Sequence, residues 1–404
     1  STQSTGYQRR VRGPSPQISK MDYKPSSTQT LSRKTYVEAT KYSFNTSWFD
    51  KVADMDRLYV VTIYKETSEI EIFDVHRKMV FLKRCPFPEL DFSKFFIGNA
   101  VVIHGRQHTI TGFANEFTAQ ALSKSSERTC AIIKPHAYGP ECLKDTLAAI
   151  IKNGLVIAKM QTSSFTPEAA ADFYKEHEGK PFFAGLMQMV TEGPAVIFEL
   201  VGADAVRKWR EIIGATDPAK AVFPQLRKAY GLNVTRNAFH GSSDPASATR
   251  ELEIAFQLRP TCVDFGAIVL LQPRFINQFA EILQQLFQQA AQQGLTVSGI
   301  HTADPVATDI DELFKAYQQV IPNYRQFCDQ FDDGVVVALQ LAGPDCVAKA
   351  REVCGPWDPE IAKLLKPQSL RALFGKNAVE NAVFVTDIDE EAEIHTDFWF
   401  KCVE

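Results

Sequence analysis

Short runs of β-branched and aromatic residues follow one another between positions 56 and 122. The run LYVVTIY is almost wholly apolar, whereas EIEIFDV alternates polar and apolar positions, which is the period of a half-buried strand. The runs KMVFLKR, AVVIHG and HTITGF follow, with turn residues between them. The pattern predicts a small β-rich domain over residues 51–123, and this segment contains no cluster of catalytic residue types.

From residue 129 the pattern changes to an alternation of strands and helices. TCAIIK is typical of a buried strand, and CLKDTLAAIIKNG has helical periodicity up to Gly154. Thr166 followed by Pro167 predicts the start of a helix, and Gly214 predicts the end of the helix in DAVRKWREIIG. The order βαββαβ over residues 127–257 predicts a ferredoxin-like sheet.

The same order returns over residues 261–402. GAIVLLQP corresponds to TCAIIKP, and SLRALFG corresponds to QLRKAYG. Arg210 and Arg351 are 141 positions apart, and Asn237 and Asn381 are 144 apart. A tandem duplication explains these nearly constant offsets, so the chain is predicted to be an α+β multidomain protein with two repeats.

Charge separates the N-terminal segment from the rest of the chain. Residues 1–45 hold eight Lys or Arg against two acids, and few apolar residues, so we expect a basic extended tail over residues 1–50 that lies on an acidic partner. The whole chain has a net charge of −4 and no long apolar run, which argues against nucleic-acid and membrane partners. None of the eight cysteines forms a C-x-x-C pair, so we expect reduced thiols and no zinc site.

Polar residues that suit phosphoryl transfer surround the stretch RNAFHGSSDP. A lone histidine is more often structural, but His240 is accompanied by cations, hydroxyls and the carboxylate of Glu251 eleven positions later. A nucleophilic imidazole needs one free nitrogen and an acceptor at the other, and cations must neutralise the transferring oxygens. No P-loop motif and no protein-kinase motif is present in the sequence. The candidates are Lys134, Tyr174, Arg210, Thr216, Arg227, Asn237, His240, Ser242 and Glu251.

Residues 128–256 resemble the nucleoside diphosphate kinases along their whole length, through AIIKP, DFYKEHEGKPFFAGL, EGPAVIFEL, GATDPA and RNAFHGS. The resemblance implies that His240 is the nucleophile that becomes a phosphohistidine, that Glu251 orients it, and that Ser242 and Lys134 assist catalysis. It also implies that Mg²⁺ bridges the phosphates of ATP or another nucleotide, with little direct protein ligation. The implied nucleotide-binding residues are Lys134, Tyr174, Phe182, Leu186, Arg210, Thr216, Arg227, Val234 and Asn237, of which Phe182 and Val234 enclose the base.

Some positions depart from the family pattern. The family's KPD is KPH here, with His136, and Pro224 stands where the loop usually has a glycine. In the second repeat the Lys134, Tyr174, Thr216 and His240 positions hold Gln272, Phe314, Trp357 and Phe384. A phenylalanine cannot carry a phosphoryl group, so we predict that this repeat does not turn over. Arg351, Arg371 and Asn381 remain, and nucleotide binding there stays open.

The β-rich domain resembles the DM-ten domain, through TIYKETSEIEIFDVHRKMVFLKR and DFSKFFIGNAVVIHGRQHTITGFANEFT. That resemblance implies a pleckstrin-like β-barrel. A DM-ten domain beside an intact and a degraded kinase repeat resembles the seventh-paralogue type of the nucleoside diphosphate kinase family. This implies tubulin and other proteins of the axonemal doublet microtubule as partners, and a location in the cytoplasm and the axoneme of a cilium or flagellum. Two alternatives stay open, a purely structural scaffold and a soluble kinase of nucleotide homeostasis.

Overall fold

The computed structural model describes residues 40–50, 53, 55–122, 127–303, 305, 307–321, 323–332 and 335–403. Residues 1–39 of the predicted tail therefore lie outside the described residues. The strands are β1 (Lys41–Asp50), β2 (Met55–Tyr64), β3 (Glu69–Asp74), β4 (Met79–Pro86), β5 (Ala100–Ile103), β6 (Arg106–Phe113), β7 (Glu127–Ile133), β8 (Val156–Ser164), β9 (Pro194–Gly202), β10 (Phe239–Gly241), β11 (Ala267–Leu271), β12 (Thr296–Ala303), β13 (Val336–Ala342) and β14 (Val383–Val385).

Helices cover both faces of the sheet formed by β7 to β14, and the first helix packs on β1 and β6. The helices are α1 (Glu116–Leu122), α2 (Pro140–Lys152), α3 (Pro167–Phe173), α4 (Phe183–Val190), α5 (Ala205–Ile213), α6 (Leu226–Tyr230), α7 (Pro245–Ala255), α8 (Phe279–Gln292), α9 (Ala307–Leu313), α10 (Tyr324–Asp332), α11 (Cys346–Cys354), α12 (Pro359–Leu365), α13 (Leu370–Phe374) and α14 (Asp389–Asp397). None of these described helices is both long enough and apolar enough to span a bilayer.

The N-terminal domain is a six-stranded antiparallel sheet in the order β4-β3-β2-β1-β6-β5. The prediction that the extended tail reaches residue 50 is wrong, because β1 pairs with β2 along its whole length and with β6 on its other side. Phe44 is fully buried in the domain core, and the Ser43 amide donates to Thr118 Oγ1 of α1 at 2.9 Å. The composition was averaged over a segment that also contains many polar and basic residues before β1, so it did not indicate this strand. The pleckstrin-like assignment stays a prediction.

The first repeat has the strand order β10-β7-β9-β8, with every neighbouring pair antiparallel. Numbered within the repeat, this order is 4-1-3-2, as in a ferredoxin-like fold. The central strand β7 is buried on both faces: Ala131 and Ile133 face α2 and α5, whereas Cys130 and Ile132 face α3, α4 and α7. This explains why its sequence is continuously apolar rather than alternating. The buried-strand prediction for this segment is confirmed.

Helix ends in the first repeat lie where the sequence signals predicted them. Thr166 Oγ1 accepts a hydrogen bond from the Ala169 amide at 3.2 Å and caps α3. Helix α5 ends at Gly214, whose φ of 84° is in the left-handed region. Helix α3 stops at Phe173, and a separate 3-10 turn follows at Lys175–His177.

The two repeats join edge to edge into one eight-stranded sheet through β8 and β12. At this joint Gln161 lies opposite His301, and the side chains on either side bond in a pseudo-two-fold pattern. Thr162 Oγ1 accepts from the Ile300 amide at 2.9 Å, and Thr302 Oγ1 accepts from the Met160 amide at 3.1 Å. Helices α2 and α8 pack beside this joint, so one hydrophobic core runs through both repeats. The chain thus contains an internal pseudo-dimer.

The cysteines differ in their exposure to solvent. All eight are free thiols, and Cys130, Cys142, Cys328, Cys346 and Cys354 are buried. Burial raises the pKa of the Cys354 thiol to about 12, so this group is protonated and unreactive at neutral pH.

Candidate active site

The strand that carries His240 is short and is supported from several sides. Strand β10 pairs antiparallel with β7, which places His240 opposite Ile132. The buried Trp209 of α5 donates its indole N–H to the His240 carbonyl at 2.8 Å. A Cβ atom at Gly241 would lie 2.6 Å from Trp209 Cδ1, so only glycine allows this close approach.

The imidazole of His240 is oriented by a carboxylate on α7. This helix begins at Asp244, whose side chain accepts from the Ser247 amide at 2.9 Å, and Pro245 takes the first helical position. Two turns later Glu251 points toward the sheet, and its Oε2 lies 2.9 Å from His240 Nε2. Glu251 is only 2% exposed. Burial opposes ionisation, but His240 and Ser242 together hold the pKa of this carboxyl below its usual range.

A chain of hydrogen bonds determines which imidazole nitrogen is free. The Cys130 amide donates to Ser242 Oγ at 3.0 Å, and this hydroxyl donates to Glu251 Oε2 at 2.6 Å. The ionised Glu251 is an acceptor only, so His240 must donate its proton from Nε2. No described residue forms a hydrogen bond with Nδ1, and the His240 side chain is 15% exposed. The arrangement leaves a lone pair on Nδ1, as a nucleophile requires.

Aromatic rings enclose the imidazole. The rings of Phe173 and Tyr174 lie edge-on to His240, with centroids at 5.0 Å and 5.8 Å. The Tyr174 hydroxyl is buried and has no hydrogen-bond partner among the described residues. Burial and the nearby Glu251 carboxylate raise the pKa of this phenol, so it remains a donor. A donor without an acceptor beside a nucleophile suits an incoming phosphate oxygen.

Two buried cations lie at the same end of the sheet as His240. Lys134 follows β7, is 5% exposed, and donates from Nζ to Asn237 Oδ1 at 2.8 Å. Burial, with a contribution from Arg227, lowers the pKa of Lys134 to about 7. Arg227 donates to the Gly214 carbonyl at 2.9 Å and to the Phe239 carbonyl at 2.7 Å, directly before His240. Burial and Arg210 lower the pKa of Arg227 to about 10. Neither cation has an acidic partner in these bonds, so the site favours an anion.

The remaining predicted binding residues differ in their exposure to solvent. Arg210 is exposed on α5, close enough to Arg227 to influence it electrostatically, and Thr216 is exposed in the following loop. Phe182 and Val234 are 47% and 55% exposed, which leaves both apolar side chains available to a planar base. Leu186 differs from them, because it is 6% exposed and packs in the core beneath α4. The structure therefore places Leu186 in the support of the site rather than on its open surface.

The second repeat has an aromatic core where the first has His240. Phe384 stands on β14 at the equivalent position and is 1% exposed. Its ring contacts Phe314, Phe327 and His395, with centroids at 4.8, 6.1 and 5.6 Å. His395 lies 144 positions after Glu251, so the carboxylate is lost together with the nucleophile. Burial lowers the pKa of His395 to about 4, so this ring is neutral.

Three residues near the site were not predicted to be part of it. Trp209 holds the His240 carbonyl, His177 stacks on Tyr174 at 6.2 Å, and the His136 ring accepts from the Ala238 amide at 3.2 Å. His136 was noted only as a departure from the family pattern. No sequence signal indicated Trp209, because its bond joins α5 to β10 and depends on the packing of the repeat. The stacking of His177 on Tyr174 is local, since the two residues are three positions apart.

Metal-ligating side chains do not cluster in the described part of the chain. No group of three or more His, Cys, Asp or Glu is arranged there to hold a metal ion. The site's own charged groups are mainly cations, which suits the phosphates of a nucleotide rather than a bare metal.

Comparison with known proteins extends this picture over both repeats. The nucleoside diphosphate kinase family model matches residues 127–260 and again residues 266–404. The mouse (Mus musculus) protein named nucleoside diphosphate kinase homolog 7 is 29% identical over 377 residues, which cover 91% of this chain and 94% of that protein. A nucleoside diphosphate kinase of Bdellovibrio bacteriovorus is 43% identical over 138 residues, covering 34% of this chain and 98% of that protein. A crystal structure of the Aquifex aeolicus nucleoside diphosphate kinase matches with 38% identity and a TM-score of 0.32, over 33% of this chain and 96% of its own. Since the family model covers more than half of the sequence, the chain belongs to the nucleoside diphosphate kinase family, as a member of its seventh-paralogue type.

Proposed function

We propose that the first repeat is a nucleoside diphosphate kinase that transfers a phosphoryl group through His240. The observation that carries this proposal is the hydrogen-bonded series from Ser242 through Glu251 to His240 Nε2, which leaves Nδ1 unprotonated beside two buried cations. The second repeat has neither the nucleophile nor the carboxylate. The proposed activity therefore belongs to the first repeat alone.

The reaction is a pair of displacements at phosphorus. The Nδ1 lone pair of His240 forms a bond to the γ-phosphorus of a nucleoside triphosphate, and the bond to the β–γ bridging oxygen breaks, so a diphosphate leaves. A second diphosphate then attacks the phosphohistidine in the reverse sense, and His240 is regenerated. The Nε2 proton stays on the ring throughout, where Glu251 stabilises the positive charge that develops on the imidazole.

The cations and the phenol act on the transferring group. Lys134 and Arg227 neutralise charge that spreads over the phosphate oxygens, and the buried Tyr174 hydroxyl donates to one of them. Arg210 and Thr216, both exposed, are assigned to the terminal phosphates. Mg²⁺ bound to the nucleotide would neutralise further phosphate charge, and the phosphates rather than the protein would hold it.

Recognition of the nucleoside is expected to be weakly selective. Phe182 and Val234 offer apolar surface to the faces of a base but no hydrogen-bonding group to its edge. Asn237, which accepts a hydrogen bond from Lys134, is assigned to the ribose hydroxyls. We therefore expect similar turnover of purine and pyrimidine diphosphates.

Labelling with γ-labelled ATP and Mg²⁺ tests this function. The wild-type chain should gain an acid-labile, base-stable label, and His240→Ala should not. His76→Ala is a matched control, because His76 is an exposed histidine of the N-terminal domain. Equal labelling of the wild type and His240→Ala would refute the proposal.

A structural role on axonemal microtubules is the second candidate function. It is supported by the net charge of +6 over residues 1–45, which complements acidic tubulin, and by a second repeat whose nucleophile position is filled by buried Phe384. The DM-ten resemblance points to the same setting, with attachment in the cytoplasm and axoneme of a cilium or flagellum. In this role the chain would be a doublet-microtubule component that carries a kinase domain.

Microtubule co-sedimentation tests the structural role. The full chain is compared with a chain that begins at Thr40, at low and moderate salt, because a later start would remove part of β1 from its sheet. The full chain should bind more tightly, and its advantage should shrink as salt rises. Equal binding of the two chains at both salt concentrations would exclude the tail as the anchor.

A further inference from the structure

The residue before β10 has an unusual backbone conformation. Ala238 has a φ of 67°, in the left-handed region that residues other than glycine rarely adopt. It lies between Asn237, which holds Lys134, and Phe239, whose carbonyl accepts from Arg227. The conformation of Ala238 therefore sets the positions of Lys134 and of the strand that carries His240.

Two hydrogen bonds hold Ala238 against the end of β7. Its carbonyl accepts from the Lys134 amide at 2.8 Å, and its amide donates to His136 Nε2 at 3.2 Å. His136 belongs to the 3-10 turn Pro135–Ala137, directly after Lys134. The backbone of Ala238 is thus clasped on both sides by the same segment.

The second repeat contains an independent version of this clasp. Ala382, at the equivalent position, has a φ of 74°. Its amide donates to the side-chain oxygen of Gln272 at 3.1 Å. The two repeats use different residues from different positions to provide the same acceptor, so the acceptor itself is the common requirement.

The clasp determines the protonation state of His136. A backbone amide can only donate, so Nε2 must carry a lone pair and the ring proton must be on Nδ1. His136 Nδ1 is buried and has no hydrogen-bond partner among the described residues. A second proton on the ring would remove the acceptor for the Ala238 amide. The oxygen of Gln272 in the other repeat stays an acceptor, because a glutamine side chain does not titrate.

Burial and the charged groups around His136 determine the pH at which its ring gains a second proton. Lys134 and the charge of Arg236 oppose its protonation, whereas the Arg236 backbone and Glu192 favour it. Arg236 is itself paired with Glu192 at both of its terminal nitrogens. Helix α4, which packs against the 3-10 turn, has no charged residue. Burial is the largest cause that lowers the pKa of His136 below its ordinary value of 6.5. The neutral ring is therefore kept at pH 7, and the clasp is lost only in acid.

We propose that His136 is a positioning residue for phosphoryl transfer, which holds the Ala238 amide while its ring is neutral and releases it on protonation. The proposal rests on the transfer through His240 put forward above. It gives the titration of His136 an effect on the rate although His136 does not touch the phosphoryl group.

Two substitutions separate the acceptor from the titration. His136→Gln places a non-titrating oxygen within the reach of Nε2, the kind of acceptor that Gln272 supplies from a different position in the second repeat. His136→Leu removes the acceptor at similar size. At pH 7.5 we expect His136→Gln to form the phosphohistidine within about threefold of the wild-type rate, and His136→Leu to be slower by about tenfold, the effect of one lost hydrogen bond. Between pH 7.5 and 5 the rate should fall less steeply in His136→Gln than in the wild type.

A measurement on the ring itself does not depend on activity. ¹⁵N spectra of histidine-labelled protein, with His136 assigned by its absence in His136→Gln, should show a neutral ring protonated on Nδ1 at pH 7. A ring protonated on Nε2, or on both nitrogens, would overturn the proposal. If the wild type is labelled and His136→Gln and His136→Leu match its rate and its pH profile, the positioning role of His136 is refuted while the phosphotransfer function stands. No labelling of any chain, with the Nδ1 tautomer present, would refute the phosphotransfer function and with it the catalytic consequence of the clasp.

Discussion

Replacing Glu251 by glutamine removes the charge from the centre of the hydrogen-bonded series of Ser242, Glu251 and His240 and preserves the shape of the side chain. In the wild type, Oε2 of Glu251 accepts from Ser242 at 2.6 Å and from His240 at 2.9 Å, and the residue is 2% exposed, so solvent screens neither bond. A glutamine oxygen can accept both bonds, but without the carboxylate charge. The change is therefore electrostatic.

The expected magnitude follows from these two bonds. A hydrogen bond to a charged group contributes about 1.5–3 kcal/mol and a neutral one about 0.5–1.5 kcal/mol, so each bond weakens by about 1 kcal/mol. The sum predicts a loss of ~2 kcal/mol of stability at pH 7. The share that stabilises positive charge on His240, about 1 kcal/mol, predicts phosphohistidine formation slower by about fivefold, since about 1.4 kcal/mol is a factor of ten.

The stability difference should depend on pH in a defined direction. The pKa of Glu251 is lowered in the folded chain, so its contribution is present above the ordinary value of 4.5 and is lost as the pH falls through the folded pKa. The difference in stability between wild type and Glu251→Gln should therefore be largest near neutral pH and shrink in acid below pH 4.5.

Rapid-quench labelling and thermal unfolding at several pH values measure both effects. Glu253→Gln is a matched control, because Glu253 is exposed on the same helix. A Glu251→Gln chain that labels at a rate within twofold of the wild type, or that loses no more stability than Glu253→Gln, would refute the electrostatic account of His240.

Three other substitutions or titrations test neighbouring parts of the structure. Because the pKa of Lys134 is about 7, bound phosphates should restore its charge, so nucleotide binding should take up a proton at pH 8 and not at pH 6. Calorimetry in buffers of different ionisation enthalpy measures this uptake, with Lys134→Gln as the control. Equal proton uptake by the wild type and Lys134→Gln would contradict the prediction. Phe384→His, made together with His240→Ala, should not restore labelling and should lower stability by roughly 1–3 kcal/mol, because the new ring lies among aromatic side chains without the carboxylate; covalent label on this double variant would show the prediction to be wrong. Trp209→Phe should lower the free energy of unfolding by about 1 kcal/mol and slow labelling, since the His240 carbonyl loses its donor. Trp399→Phe is the control, because it removes an indole N–H that is buried and unpaired within the described residues. Equal effects of the two substitutions on labelling would argue against a role for the Trp209 bond.

Several features of the fold were predictable because they depend on residues close together in the chain. The caps at Thr166 and Gly214 need only a side-chain oxygen or a left-handed residue within one helical turn. The buried run of β7 and its return in β11 were readable because a strand covered on both faces must be apolar throughout. The tandem repeat was visible for the same reason, since both copies keep the same local signals.

The tertiary structure decided the features that join distant segments. Strand β1 was assigned to a tail, because composition averages over its neighbours and cannot register the pairing of Phe44 with the domain core. The pseudo-two-fold joint between β8 and β12 rests on two threonine hydroxyls, and a hydroxyl carries no sequence signal for an amide about 140 positions away.

The same distinction between sequence and tertiary structure applies to the candidate active site. The sequence by itself determined which chemical groups are available, because a histidine, a carboxylate and several cations are identifiable by residue type and by resemblance. Only the tertiary structure decided the buried position of Leu186 and the neutral ring of His136. These properties depend on the direction of individual hydrogen bonds and on exclusion of water, which arise when β7, β10 and α7 pack together.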